Sequence, residues 1–293
     1  MEILPNIVRL RTKILIIFFI STALFRSDYG FAQQNIKKKV LIGNEEHKHI
    51  FELKTGREIF LLTLGTGLNL YNAYLQNRVS PLTPMEIAQL DPEQVNPFDR
   101  KTIDNYRQDR AGDFLLYASF LIPLTVPLTI FKGDEHRSDW KVWAVMTSEL
   151  LLINGGFNGI IKSSVLRIRP FVYNPDVSLE LKIEKNARFS FYSAHTATTA
   201  ALTFFTARLF SSYLTDTKTK TLIWIGAVTY PALTGLLRLQ TGRHFRTDVI
   251  TSYIFGAFFG YIIPDLHRIT NDRFSLRPSF GRDSFQVYLS FAL

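Results

Sequence analysis

Apolar residues in this chain come in runs. The first, Ile14–Phe25, follows Arg9, Arg11 and Lys13 and precedes GFAQQ, Gly30–Gln34. A basic flank, a short apolar centre and small residues up to Ala32 predict a signal peptide or signal anchor over 1–32. The run is shorter than the roughly 20 residues of a spanning helix. A polar basic segment, 33–57, holds Lys37, Lys38 and Lys39. Six longer apolar runs come next: Glu58–Gln76, Asp113–Phe131, Trp140–Ile161, His195–Tyr213, Thr221–Leu237 and Val249–Pro264. Each is close to a bilayer thickness at helical rise. Gly65, Gly67, Asn154, Gly155, Gly156 and Gly159 suit close helix–helix approach in lipid. The pattern predicts an all-α fold, a six-helix transmembrane bundle over 58–268. A soluble all-helical core with six such runs would leave too little polar surface.

Two stretches break this rhythm. Ser80–Lys101, rich in Pro and Asp, reads as an ordered interfacial loop. A short helix starting at Thr83 or Pro84 would set Met85, Ile87, Ala88 and Leu90 on its apolar side. In the tail, 269–293, Phe285, Val287, Leu289, Phe291 and Leu293 alternate with polar or amphipathic residues. Period two predicts a strand, which Gly281-Arg282-Asp283 can turn back on Phe274–Phe280 as a hairpin. A membrane barrel would need further alternating segments, and the sequence has none.

Composition narrows the partners. The 293 residues are 46% hydrophobic and 20% charged, with a formal charge of +9 and no cysteine. Disulfide frameworks, thiolate metal sites and cysteine nucleophiles are therefore excluded. The cations lie between apolar spans, so a lipid bilayer and phosphate-bearing lipids are the expected partners, and nucleic acid is not.

Three charged clusters at span ends carry candidate chemistry. In LRLQTGRHFRTD, His244 and Asp248 are four apart and share a face at the start of the last helix. A carboxylate there can hold one ring nitrogen and leave the other free as nucleophile or base, although such a pair alone is more often structural. Arg238 closes the preceding helix, where its cation is favoured. In KSSVLRIRP, Lys162 and Arg169 are seven apart, two helical turns, and Pro170 marks a break. Snorkelling to an interface explains Arg167, whereas two cations on one face fit an anion site. In YSAHTATTA, Ser193 is a good N-cap and His195 falls in the first turn, beside free helix amides. The remaining histidines, His47, His49, His136 and His267, read as surface or interface residues. Arg243 and Arg246 read equally as head-group contacts or a solvated helix end.

With these residues in view, the sequence resembles the type 2 phosphatidic acid phosphatases, which share a fold with the vanadium haloperoxidases. That family's pattern is Lys, six residues, Arg-Pro; then Pro-Ser-Gly-His; then Ser-Arg, five residues, His, three residues, Asp. Lys162 with Arg169-Pro170, Ser193 with His195, and Arg238, His244 and Asp248 follow it in order and spacing. Tyr192, Ala194 and Leu237 depart from it. The resemblance covers about Glu58–Pro264. It implies a two-step hydrolysis in which His244 attacks phosphorus, Asp248 holds its tautomer and His195 serves as acid, then base. Lys162, Arg169, Arg238, Ser193 and the amide near Ala194 would bind the phosphate oxygens. No metal and no cofactor is implied. The alternatives are a vanadate-dependent haloperoxidase and a non-catalytic lipid-phosphate binder.

The implied substrates are lipid phosphates: undecaprenyl diphosphate, lipid A, phosphatidylglycerophosphate or phosphatidate. The signal-like N-terminus suggests a multi-pass protein of a bacterial inner membrane. Its orientation is argued three ways, one being that Glu58–Gln76, interrupted by Gly65, Gly67, Asn69 and Asn72, does not cross, which reconciles export with an outward site. An exported N-terminus followed by six crossings puts the clusters in the cytoplasm. Lys37, Lys38, Lys39, Lys48, Lys54 and Arg57, if they stay inside, put the active site on the periplasmic face, which is the expectation adopted.

Overall fold

The computed structural model describes residues 49–108, 110–132 and 136–269, together with the backbone of Phe274–Phe280 and Phe285–Phe291. The expected signal segment and most of the basic segment lie outside the described residues. The main helices are α1 (Thr55–Asn77), α2 (Ala111–Ser119), α3 (Thr125–Thr129), α4 (Arg137–Val165), α5 (Ala194–Tyr213), α6 (Thr217–Gln240) and α7 (Arg246–His267). The two tail segments pair antiparallel, Phe274 opposite Phe291 and Phe280 opposite Phe285.

Five of the six expected spans are single helices. The second is not: between α2 and α3 the chain forms turns. Pro123 has no N–H for the Ser119 carbonyl and disfavours helical dihedrals at Ile122, whereas Pro127 falls in the first turn of α3, where a missing donor costs little. The backbone there bonds one residue tighter, as in Leu121 N–H to Ala118 C=O and Ile122 N–H to Ser119 C=O, both 3.1 Å.

Among the described residues, three helical stretches are long and apolar enough to cross a membrane unaided: Arg137–Tyr173, Thr217–Gln240 and Arg246–His267. Their outward residues fit that environment. Leu222, Ile225, Leu233 and Leu236 on α6, with Ile250, Ile254 and Phe258 on α7, are exposed. A surface so apolar belongs in lipid.

Helix α5 is the axis of the bundle and packs on α2, α4, α6 and α7. Its threonines turn their hydroxyls back onto the helix: Thr199 to His195 C=O at 2.9 Å, Thr203 to Thr199 C=O and Thr206 to Leu202 C=O, both 2.8 Å. Each polar group is thereby satisfied without water. Gly256 and Gly260 let α7 lie directly on α5. A Cβ at either would fall 2.2 Å from Ala197 C=O or 2.3 Å from Ala201 C=O. Gly65, Gly156 and Gly159 serve the α1–α4 contact in the same way, while Gly67 has open space around it.

The connections at one end of the bundle are ordered. Thr83 caps the helix Pro84–Ala88 in a reciprocal box with Glu86. Ile87 and Leu90 pack towards Leu82, Phe171, Val172, Val177 and Ala187. Met85, expected on that apolar side, is instead 73% exposed. A neighbouring small core joins Val95 and Ile103 to Phe245, at the entrance to α7. These two cores hold the loops over the ends of α4 to α7.

Candidate active site

All three charged clusters meet under those loops. Lys162 lies near the end of α4, buried, and its Nζ donates to Phe189 C=O at 2.8 Å. Arg169 does not share that helix, contrary to the two-turn reading. Leu166 adopts a left-handed conformation (φ 51°), which ends α4 at Val165. Arg169 then arrives in extended chain, ahead of Pro170 at the first position of Pro170–Tyr173. Its guanidinium is held by Asn186 C=O, Asn186 Oδ1 and Arg243 C=O at 2.8–2.9 Å. So clamped, it places NH1 3.4 Å from His244 Nε2.

The His244 ring is buried, with Nδ1 2.7 Å from Ser190 C=O. A carbonyl only accepts, so Nδ1 carries the hydrogen. In the neutral ring Nε2 then keeps its lone pair, turned towards Arg169. Burial keeps the ring neutral, well below the ordinary imidazole range, and the cations Arg169, Lys162 and Arg238 push the same way.

Asp248 is not the direct partner that the spacing led us to expect. Its carboxylate is 3.7 Å from His244 Nδ1. It accepts instead from Ser190 Oγ (2.5 Å), Phe245 N–H (2.8 Å) and Arg167 NH1 (2.6 Å). Asp248 thus steadies Ser190, whose carbonyl steadies His244. Arg167, read from sequence as a snorkelling cation, bridges Asp248 to Asp99, at 2.8 Å from NH2. Burial alone would raise the Asp99 carboxyl. Hydrogen bonds from Arg167, Thr247 and Asn96 outweigh it and hold the group below its ordinary value.

Ser193 caps α5, accepting from Thr196 N–H at 3.4 Å, and Ala194 is the first helical residue. The leading amides of a helix lack intrahelical partners and attract anions. His195 Nε2 lies 2.8 Å from Asp113 Oδ1, and Arg238 NH1 lies 3.0 Å from the same oxygen. The Arg238 Nε is buried and has no hydrogen-bond partner among the described residues. Gly112 allows this approach, since a Cβ there would meet Arg238 Cδ at 3.1 Å. The turn from α6 to His244 runs through Gly242 at φ +61°, a conformation that glycine adopts without steric cost.

All eight candidates therefore border one site: His244, His195, Asp248, Lys162, Arg169, Arg238, Ser193 and Ala194. Sequence reasoning missed Asp113, Asp99, Asn186 and Ser190. Arg243 and Arg246 lie over the rings of Phe171 and Phe98, at 5.2 and 5.4 Å. The arrangement offers an unprotonated ring nitrogen, three cations to stabilise negative oxygens, and a second histidine for proton transfer.

Residues 142–271 match the family model of the PAP2 superfamily. Comparison with curated proteins gives no match. Among solved structures, the chain is similar to the crystal structure of the first transmembrane PAP2 type phosphatidylglycerolphosphate phosphatase from Bacillus subtilis. Identity is 22%, over 68% of this chain and 93% of that one, with a TM-score of 0.38.

Proposed function

We propose that this chain, whose residues 142–271 match the PAP2 superfamily model, is an integral membrane lipid phosphatase working through a phosphohistidine. The substrate is a phosphomonoester or diphosphate of a membrane lipid: undecaprenyl diphosphate, lipid A, phosphatidylglycerophosphate or phosphatidate. One observation carries the reading. The buried His244 ring directs its free nitrogen to a cluster of cations, with its other nitrogen locked on Ser190 C=O.

His244 Nε2 attacks phosphorus, and the bond to the leaving lipid oxygen breaks. His195 supplies that oxygen's proton from Nε2, the nitrogen Asp113 engages in the resting site. Water then gives a proton to His195 and attacks the phosphohistidine, releasing phosphate and free His244. Lys162, Arg169 and Arg238 hold the non-bridging oxygens, with the amide of Ala194 and the Ser193 cap completing the cradle. Asp248 acts through Ser190. These cations fill the electrostatic role of a divalent ion, so the chemistry needs no metal.

In this reading α1, the broken α2–α3 pair and α4 to α7 form six crossings of a bacterial inner membrane. The site faces the periplasm. Purified protein given the four lipid phosphates in chelator should release phosphate from at least one and trap a phosphoenzyme on His244. Loss of release in chelator with recovery on added magnesium overturns the metal-free mechanism. Bound vanadium with halide oxidation and no phosphate release overturns the phosphatase.

A further inference from the structure

At the other end of α7 from Asp248, roughly a bilayer thickness away along the helix, lies a second polar cluster. His267 closes α7, Glu58 opens α1 and Glu149 sits inside α4; all three are buried. This corrects the reading of His267 as a surface residue. Its Nδ1 is 2.8 Å from Ile263 C=O and so carries the hydrogen. Its Nε2 faces Glu58 Oε2 at 3.1 Å and Glu149 Oε2 at 3.0 Å. One imidazole lone pair and two carboxylates thus converge, with one ligand atom from each within 4.8 Å of the others.

Glu58 is already neutralised by Arg57, whose NH2 stands 2.6 Å from Oε1. Glu149 is not. It is fully buried, and neither of its oxygens makes a hydrogen bond among the described residues. A proton on His267 Nε2 would be donated to Glu58, the partner in hydrogen-bonding line, and would leave Glu149 with a charge contact at 3.0 Å but no hydrogen bond. A buried carboxylate whose oxygens make no hydrogen bond is costly even beside a charge. A positive ion among the three removes the conflict.

We propose that Glu58, Glu149 and His267 bind one divalent first-row metal ion of the zinc or manganese class, cross-linking α1, α4 and α7. Mixed imidazole and carboxylate donors suit those ions. A ligating histidine whose other nitrogen is held by a backbone carbonyl is the usual arrangement around them.

The test uses the purified full chain, stripped with chelator and titrated with Mn2+ followed by electron paramagnetic resonance, or with Zn2+ followed by calorimetry. One ion per chain, nitrogen coupling to bound Mn2+ and a higher Tm are expected. Glu149→Gln and His267→Gln should each abolish stoichiometric binding. Folded wild type that binds neither ion overturns the proposal, as does binding that survives both substitutions. A carboxylic-acid infrared band in metal-free protein, removed by Glu149→Gln and untouched by either ion, also overturns it, because a proton then occupies the site. If the variants do not fold, the wild-type titration and its nitrogen coupling decide alone. Phosphate release from the stripped protein is scored separately, so this proposal and the phosphatase reading fail independently.

Discussion

The carbonyl of Ser190 lies 2.7 Å from His244 Nδ1, while the hydroxyl of the same serine lies 2.5 Å from Asp248. One residue therefore transmits the carboxylate's hold to the imidazole. Backbone, which no side-chain substitution removes, supplies the direct contact.

Removal of the nucleophile should be absolute. His244→Ala is expected to lose turnover and radiolabelled phosphoenzyme together. His195→Ala should slow both chemical steps by about a hundredfold or more. Near-normal turnover in His244→Ala would refute the assignment.

Arg167 touches no substrate in this scheme, yet it joins two buried carboxylates. Arg167→Ala leaves Asp99 and Asp248 without their cation, a change that typically costs about 3–5 kcal/mol. A lower Tm and a lower kcat with little change in KM are expected. An unchanged Tm would show that the Asp99–Arg167–Asp248 bridge contributes nothing.

The state of His244 has a pH signature. Its folded-state pKa is depressed, so below about pH 6.5 the unfolded chain takes up a proton that the folded chain refuses. The full contribution to stability is present above that pH and is lost as pH falls towards the folded value. Against His244→Gln, wild type should lose relative Tm as pH is lowered from about 7.5 to 5.5. A difference that stays flat would mean that the ring titrates normally.

Helix contacts can be tested away from the chemistry. Gly256→Ala sets a Cβ against Ala197 C=O at 2.2 Å and should destabilise by about 1–3 kcal/mol. Activity should fall with it, since α5 carries His195 and α7 follows His244. Gly67→Ala enters open space and should be neutral or slightly stabilising through helix propensity. Equal effects in thermal unfolding would contradict the packing described.

The side of the membrane is open to labelling, because the chain has no cysteine. Ser178, in the connection over the site, and Lys218, at the far end of α6, are both exposed. In intact spheroplasts an impermeant maleimide should modify Ser178→Cys and spare Lys218→Cys. The reverse pattern puts the site in the cytoplasm.

What could be read in advance follows from how each feature is encoded. Lys162, Arg169, Arg238, His244 and Asp248 stand in short stretches whose spacing reflects one local geometry. Asp113 and Asp99 do not: they meet His195 and Arg167 across 82 and 68 residues of chain, and no local pattern links them. Glu58 and His267 are 209 residues apart, so each looked solitary. The break between α2 and α3 has a local cause at Pro123, inside a run whose apolar residues otherwise read as one span. The role of Ser190 was illegible for another reason, since any residue has a carbonyl.

Helix α5 is the most enclosed of the long helices and is not among the stretches apolar enough to cross a membrane unaided. A segment of that kind gains little by entering lipid alone, even with its threonine hydroxyls bonded to its own carbonyls. During synthesis it should wait at the insertion machinery until α6 and α7 emerge, then enter the bilayer with them. Chains truncated after Tyr213 should accordingly leave α5 extractable, whereas chains extended past His267 should retain it. The axis of the finished protein is the part that its own biogenesis can place only late.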